Sequence, residues 1–243
     1  MRQRILLVLL IVINIYSGVF AGEKIYIDNE YIQQYRGKLG CWVMFESRKK
    51  LQAVTEKYGI SIQDVDELNG AKYRSSDYIF IPFSETYLQE LGAKGITREE
   101  SSSKQDEFIW PLAKAERISS PFGIRWGQLH TGADMPATKG SIIVAAMDGK
   151  IVYTGYAEGH GKTIYVEHRN NFFTRYSHNS VILIKNGDYV RKGQIIGFVG
   201  STGNSTGNHL HFEIRYNDIP LNPLDFLPPR EDIPQAHMFR HIR

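Results

Sequence analysis

The stretch Asn208-His-Leu-His-Phe-Glu-Ile-Arg-Tyr216 decides the fold of the C-terminal half of the chain. Its β-branched and aromatic residues, and its alternation of polar and apolar positions, predict a half-buried β-strand. Successive side chains of a strand point to opposite faces, so His209 and His211 stand side by side while Leu210 points into the core. Two imidazoles on one strand face provide half of a metal site.

A second pair of residues suited to bind metal, His130 and Asp134, lies upstream. Glycine and proline around the pair indicate loop and turn rather than helix, so both side chains can fold onto one ion. Zinc takes imidazole nitrogen and carboxylate oxygen in a tetrahedral shell, and a catalytic zinc leaves one of the four positions to water. His130, Asp134 and either His209 or His211 complete such a shell. His178 and the remaining histidine then lie near the open position.

Six blocks of sequence, in order from about Phe108 to Leu227, resemble the lysostaphin-type zinc endopeptidases of the bacterial cell wall. The blocks are Ser120-Pro-Phe-Gly-Ile-Arg125, Leu129-His-Thr-Gly-Ala-Asp-Met-Pro-Ala137, Val144-Ala-Ala-Met-Asp-Gly-Lys-Ile-Val152, Tyr176-Ser-His178, Gly187-Asp-Tyr-Val-Arg-Lys-Gly-Gln-Ile-Ile-Gly197, and Gly200-Ser-Thr-Gly203 with His209-Leu-His-Phe-Glu213. The resemblance implies that His130, Asp134 and His211 bind Zn²⁺. It also implies that His178 and His209 are catalytic.

The function implied by this resemblance is hydrolysis of amide bonds in the peptide cross-links of bacterial peptidoglycan by metal-activated water. Histidine suits proton transfer because its unperturbed pKa is about 6.5. The sequence does not divide the roles of general base and oxyanion partner between His178 and His209. The alternative is a catalytically silent regulator that activates another wall hydrolase. Such regulators resemble this chain but have lost the metal ligands, whereas all five residues are present here, which favours the enzyme.

The fold class predicted for the whole chain is mainly β, with an antiparallel peptidase domain over residues 108–228. Short apolar runs alternate with glycine turns at intervals of roughly 8 to 12 residues, which favours antiparallel strands over βαβ units. The runs are Ile142 to Ala146, Lys150 to Tyr156, Thr163 to Val166, Phe172 to Tyr176, Gln194 to Val199 and His209 to Tyr216. The resemblance places the metal in a groove across a curved sheet.

Residues 41–83 are predicted to form a small β-α-α-β module. Trp42 to Phe45 gives the first strand, and Leu51, Val54 and Tyr58 have helical spacing. Gly59 closes this helix, Ser61 caps a second helix that runs through Leu68, and Tyr78 to Pro82 is the last strand. Cys41, the only cysteine, is predicted to be a small buried hydrophobe.

This module resembles the lysin motif, which grips glycans containing N-acetylglucosamine. The resemblance rests on Lys57-Tyr-Gly-Ile-Ser61, Leu68-Asn69 and Ile81-Pro82, and it implies glycan contact through residues 41–83. Glu46-Ser-Arg-Lys-Lys50 stands where the motif usually has a Gly-Asp-Thr loop, so the chain departs from the pattern at the loop after the first strand.

The first 21 residues are predicted to be a signal peptide. Arg2 and Arg4 precede the apolar run from Ile5 to Ile13, and Ala21 offers the small residue of a cleavage site. Export to the periplasm or cell envelope follows, with membrane contact only if this segment stays uncleaved.

Cleavage removes two of 29 basic residues and none of 26 acidic ones, so the net charge falls from +3 to +1. No clustered basic face argues for nucleic acid as a partner.

Two polar segments complete the chain. Residues 84–107 are predicted to be a solvated linker with a short helix at Glu85 to Leu91, and residues 229–243 an extended tail.

Two further residues are candidates for the groove. Tyr176 would share a strand face with His178 and add a hydroxyl to the site, and His160 lies in a predicted hairpin turn. His168 is predicted to be a hydrogen-bonded structural residue.

Overall fold

A computed structural model describes residues 32–94, 108–112 and 117–230. The described residues are mainly β, as predicted, and they form an N-terminal unit and a larger C-terminal sheet domain. The predicted signal peptide, residues 95–107 of the predicted linker and residues 231–243 of the predicted tail lie outside them. Among the described helices, none combines the length and the apolar content that crossing a bilayer requires.

The N-terminal unit is an antiparallel three-stranded sheet with two helices inserted before its last strand. Its elements are β1 (Gln33–Tyr35), β2 (Lys38–Met44), α1 (Arg48–Tyr58), α2 (Ile62–Asn69) and β3 (Tyr78–Pro82). The predicted β-α-α-β order is therefore present, and Cys41 is buried at 4% exposure. The sequence analysis missed β1, because three residues are too few to show strand alternation.

Local capping explains where the two helices begin and end. The Ser47 hydroxyl accepts a hydrogen bond from the Lys50 N–H at the start of α1, and Gly59 ends that helix in the left-handed conformation, with a φ of 64°. Ser61 and Asp64 form a reciprocal capping box at the start of α2. The sequence signals at Gly59 and Ser61 therefore mark the boundary between the helices correctly.

A third helix, α3 (Glu85–Ala93), follows the last strand of the unit. It matches the short helix predicted inside the linker, but it is not solvated on all sides. Leu91 is buried and packs into the core of the N-terminal unit. The prediction of a solvated linker is therefore wrong for this part, because an apolar residue anchors the helix.

The C-terminal domain is built from short antiparallel strands. They are β4 (Gly123–Arg125), β5 (Gln128–His130), β6 (Ala133–Pro136), β7 (Ile142–Val144), β8 (Gly149–Ala157), β9 (Gly161–Glu167), β10 (Phe172–Ser177), β11 (Asn179–Ile182), β12 (Tyr189–Val190), β13 (Ile195–Val199), β14 (His209–Tyr216) and β15 (Ile219–Leu221). The main sheet has the order β12-β8-β9-β10-β14-β15, and β6 also pairs with β14. Strands β11-β13-β7 form a second sheet, and β4-β5 form a hairpin. All six predicted strands are present.

Strand β14 is the centre of the main sheet. It pairs with β10 along one edge and with β6 and then β15 along the other. Leu210, Phe212 and Ile214 are fully buried on its core face. The opposite face is also covered, since His211 and Glu213 have 4% and 0% exposure. The prediction of a half-buried strand is therefore wrong, because polar side chains from other elements cover the second face.

The two units touch through aromatic and polar contacts. The rings of Trp42 and Phe122 lie 5.7 Å apart between centroids. The Gln33 side-chain oxygen accepts a hydrogen bond from the Asn222 N–H at 3.2 Å. The N-terminal unit thus packs beside the β4-β5 hairpin and the end of β15.

Candidate metal centre

Three atoms that can bind a metal ion lie close together where strand β6 pairs with strand β14. His130 Nε2 lies 3.1 Å from Asp134 Oδ1 and 3.1 Å from His211 Nδ1, and the last two atoms are 2.8 Å apart. Asp134 lies opposite His211 in the β6-β14 register, and β5 ends at His130. Ligands about 2.0 Å from a tetrahedral zinc ion lie about 3.3 Å from one another. The triangle fits a zinc ion after small outward shifts of the side chains.

The hydrogen bonds behind both imidazoles fix which nitrogen faces this triangle. His130 Nδ1 lies 2.8 Å from the Pro121 carbonyl oxygen, and His211 Nε2 lies 3.0 Å from Glu213 Oε1. Carbonyl and carboxylate oxygens only accept, so these ring nitrogens donate. The other nitrogen of each ring, His130 Nε2 and His211 Nδ1, therefore faces the triangle. In the neutral form of the rings these two nitrogens carry the lone pairs that a metal ion binds.

The charges of the centre favour cation binding. Burial raises the pKa of Asp134, but hydrogen bonds with His130 and His211 outweigh it and hold that pKa well below its usual range. Asp134 is therefore a carboxylate at neutral pH. Burial lowers the pKa of His211, but hydrogen bonds with Asp134 and Glu213 raise it to about 9 in the metal-free chain. A proton thus occupies the region where a metal ion would replace it.

The other two predicted residues, His178 and His209, lie beside the triangle. Their ring centroids are 4.7 Å apart, and His209 Nε2 lies 3.8 Å from Asp134 Oδ1. His178 Nδ1 donates to the Thr202 carbonyl at 2.7 Å, and His209 Nδ1 donates to the Gly207 carbonyl at 2.9 Å. Each ring therefore keeps Nε2 available. Burial lowers the pKa of His178, so its ring is neutral near pH 7.

The structure brings all five predicted residues together, but on different local structure from that expected. His130 and Asp134 lie on strands β5 and β6 rather than in a loop. The Gly132 position between them leaves no room for a side chain, since a Cβ would lie 2.3 Å from the Phe212 carbonyl oxygen. This close approach lets the short strand β6 pair with β14.

The prediction that Tyr176 adds a hydroxyl to the site is wrong. Tyr176 is fully buried, and its hydroxyl accepts a hydrogen bond from the Ala146 N–H at 2.8 Å. The strand ends at Ser177, and His178 has a φ of 62°, so strand alternation does not continue from Tyr176 to His178. His168 is a hydrogen-bonded structural residue as predicted, since its ring nitrogens contact the Asp148 carbonyl and the Thr174 hydroxyl.

His160 forms a second candidate set of metal-binding atoms with His211 and Glu213. The guanidinium of Arg175 already fills this set, since its Nη1 lies 3.1 Å from His160 Nε2 and 3.0 Å from Glu213 Oε1. Burial and the Arg175 charge lower the pKa of His160 to about 4, so its ring is neutral. A metal ion is therefore expected at the triangle of His130, Asp134 and His211, not here.

Glu213 and Arg175 are residues of the site that the sequence analysis missed. Glu213 could have been found, because strand alternation places it on the same face as His209 and His211. Arg175 faces Glu213 across the β10-β14 register, and no sequence signal gives that pairing.

Two imidazoles and one carboxylate are a donor set that catalytic zinc sites of hydrolases use. Residues 128–223 match Peptidase family M23. The chain is also 30% identical over 221 residues to the uncharacterized lipoprotein YgeR of Escherichia coli, covering 90% of this chain and 87% of that protein. The chain belongs to peptidase family M23.

Other relatives match about half of the chain. The DD-carboxypeptidase/endopeptidase Mpg of Neisseria meningitidis is 44% identical over 127 residues, 49% of this chain and 29% of that protein. The murein hydrolase activator NlpD of Escherichia coli is 38% identical over 122 residues, 50% of this chain and 32% of that protein. The chain thus covers less than a third of the length of each.

Proposed function

We propose that this protein is an exported zinc-dependent endopeptidase that hydrolyses amide bonds in the peptide cross-links of bacterial peptidoglycan. The observation that carries the proposal is the triangle of His130 Nε2, Asp134 Oδ1 and His211 Nδ1, with two further imidazoles beside it. The donor set and its separations suit zinc. The match to Mpg, an endopeptidase by its description, supports the same activity.

His130, Asp134 and His211 would hold the ion. When bound, zinc supplies a Lewis acid that makes water a nucleophile near neutral pH. In hydrolysis the water oxygen bonds to the carbonyl carbon, the C–N bond breaks, and the amine leaves with a proton. His178 and His209 can accept the proton of water and return it to the amine, because Nε2 of each ring is available.

Substrate and location follow from the whole chain. Residues 1–21 would direct export to the periplasm or cell envelope. The N-terminal unit would act as a lysin-motif-like module that holds glycan through residues 41–83 and raises the effective concentration of the enzyme at the wall. Residues 108–228 would carry the catalysis. The descriptions of YgeR as a lipoprotein and of NlpD as a murein hydrolase activator support this location.

Metal content and peptidoglycan digestion, measured on the same samples, test this proposal. The chain from residue 22 should carry about one zinc ion and release new amino termini from purified sacculi. His211→Ala should lose both properties, because two ligands hold zinc far more weakly than three. A wild-type chain that holds zinc but releases no peptide termini, even when trimmed to Phe108, would refute the endopeptidase.

The second candidate function is a regulator that activates another wall hydrolase. The similarity to NlpD, a murein hydrolase activator, is the observation that favours it. A regulator needs no metal. The wild-type chain and His211→Ala would therefore stimulate a purified wall amidase to the same extent. Stimulation together with absence of zinc from the wild-type chain would establish the regulator.

A further inference from the structure

A fully buried carboxylate, Glu213, lies behind the proposed metal ligand His211. Glu213 Oε1 accepts hydrogen bonds from His211 Nε2 at 3.0 Å, from Thr131 Oγ1 at 2.7 Å and from Arg175 Nη1 at 3.0 Å. Its Oε2 accepts from Arg215 Nη1 at 2.7 Å. A buried carboxylate is costly unless it is paired and hydrogen-bonded. Two guanidinium groups, an imidazole N–H and a hydroxyl meet that requirement here.

The bond between His211 and Glu213 determines where the His211 ring points. The ring is almost fully buried, and its Nε2–H has a single acceptor in the described residues. With Nε2–H held by Glu213, Nδ1 is directed at Asp134 and His130. Partners of this kind fix the orientation of a ligand and raise its basicity. Glu213 therefore acts on the metal centre without touching the ion.

The position of Glu213 depends in turn on Arg215, which the N-terminal unit contacts directly. Arg215 Nη2 donates to the Tyr78 hydroxyl at 2.8 Å, across 137 positions of sequence. The Arg215 guanidinium also lies 5.9 Å from the centroid of the Tyr78 ring. Asp218 accepts two further hydrogen bonds from this guanidinium, from Nε to its Oδ1 at 2.9 Å and from Nη2 to its carbonyl oxygen at 2.6 Å. Contacts from both units therefore fix Arg215 against Glu213.

We propose that Glu213 is a positioning residue for the metal ligand His211, and that the N-terminal unit supports the metal centre through Tyr78, which holds Arg215 against Glu213. This inference rests on the proposed function, since it takes His211 as a metal ligand. A unit that resembles a glycan-binding module then has a second role. It completes a chain of contacts that runs from Tyr78 through Arg215 and Glu213 to His211.

The first test removes the charge of Glu213 while preserving its size. In the full chain, Glu213→Gln keeps an oxygen for the His211 Nε2–H but no longer balances Arg175 and Arg215. Zinc affinity is measured by competition with a chromophoric chelator, and Co²⁺ replaces zinc for absorption spectra. We expect an affinity 10 to 100 times lower, the range typical of such partners, and a changed Co²⁺ spectrum. A folded Glu213→Gln chain with wild-type affinity and spectrum would overturn the proposal.

The second test isolates the N-terminal unit with a milder change. Tyr78→Phe removes one hydroxyl and keeps the ring against Arg215. Tyr73→Phe is the matched control, because the Tyr73 hydroxyl bonds Asp66 within the same unit, away from the metal centre. We expect zinc affinity to fall several-fold in Tyr78→Phe and to remain at the wild-type value in Tyr73→Phe. Equal affinities in the two variants would overturn the contribution of the N-terminal unit.

This pair still tests the contact chain from Tyr78 to His211 if Glu213→Gln does not fold, because neither tyrosine change leaves a buried charge without a partner. Failure of the inference is distinct from failure of the proposed function. A wild-type chain that binds no zinc would refute the zinc enzyme. A wild-type chain that binds zinc, together with variants of equal affinity, would refute only the positioning roles of Glu213 and Tyr78.

Discussion

At the scale of single residues, the proposed ligands and the two neighbouring imidazoles differ in what their removal takes away. His178→Ala and His209→Ala should each lower kcat/KM on peptidoglycan about 10²- to 10⁴-fold, the usual contribution of proton transfer, with zinc content unchanged. Activity and zinc are measured on the same preparations, with His211→Ala as the control that loses both. Loss of zinc from His178→Ala would show that His178 is a ligand, contrary to the proposal.

The buried His168 predicts a dependence of stability on pH. Burial lowers its pKa to about 4 from an ordinary value of 6.5. Between these values the unfolded chain binds a proton that the folded chain does not, so the free energy of unfolding falls as the pH falls. The slope is about 1.4 kcal/mol per pH unit for one such group. This loss begins near pH 6.5 and is complete near pH 4.

Urea unfolding of the metal-free chain at several pH values measures this contribution. The variant His168→Gln should be less stable than wild type at pH 7, and the difference should shrink by roughly 3 kcal/mol as the pH falls to 4. Comparison of the two chains cancels groups that titrate in both, including His160. A difference that stays constant over this range would show that burial does not lower the pKa of His168 in the folded chain.

The residues of the site were predictable to different degrees for a physical reason. Imidazoles and carboxylates at recognisable spacings indicated a metal site, and the resemblance to the lysostaphin-type endopeptidases divided the five candidates into ligands and catalytic residues. Glu213 stands on the same face of the same strand, but its role depends on Arg175 and Thr131, which reach it from other elements. Packing of the whole domain sets which residues of neighbouring strands lie opposite each other and which loops contact them. These pairings cannot be predicted from a single sequence.

At the scale of elements, the turn between β8 and β9 must lie against the loop after β13. Gly161 has a φ of 64°, and a Cβ there would lie 2.3 Å from the Thr202 carbonyl. That carbonyl accepts the hydrogen bond from His178 Nδ1. Gly161→Ala should therefore displace Thr202, misorient His178 and lower kcat about 10²-fold, because misplacement of about 1 Å has an effect of that size.

Gly159→Ala is the matched control for this change. Gly159 also has a positive φ, of 73°, but a Cβ there meets no atom within 4 Å. Both variants pay the strain of alanine in the left-handed region, and only Gly161→Ala adds the collision. Activity and zinc content of both chains are compared with wild type. Equal losses of activity in the two variants would attribute the effect to backbone strain and not to the Thr202 contact.

For most elements, length decides whether the sequence shows them. Strands of five or more residues stand out as runs rich in β-branched and aromatic residues, and the two capped helices carry their boundary residues in the sequence. Strands β4, β5 and β6 have three or four residues, too few for any period to appear. They become strands because β14 and a hairpin partner supply their hydrogen bonds. The site depends on them, since β5 and β6 carry His130 and Asp134.

At the scale of the whole molecule, composition and motifs predicted two units but not how they meet. Trp42 lies in the N-terminal unit, yet its ring contacts Phe122 of the C-terminal domain as well as Phe80 and Tyr35. Trp42 is only 2% exposed, so the shared aromatic cluster buries a side chain that a free module of this size would expose in part. The interface therefore contributes to the stability of both units.

Phe122→Ala tests this coupling. The change removes the aromatic ring that the C-terminal domain presents to Trp42, and it should lower the free energy of unfolding by about 2 kcal/mol, less than for a fully buried phenylalanine. Calorimetry should then show the N-terminal unit unfolding at a lower temperature than the C-terminal domain, as two transitions. Trp126→Ala, four residues away on the same hairpin, removes a ring that is 95% exposed and should leave the wild-type profile. If Phe122→Ala also unfolds with the wild-type profile, the aromatic cluster does not couple the units, and Tyr78 with Gln33 must account for their contact.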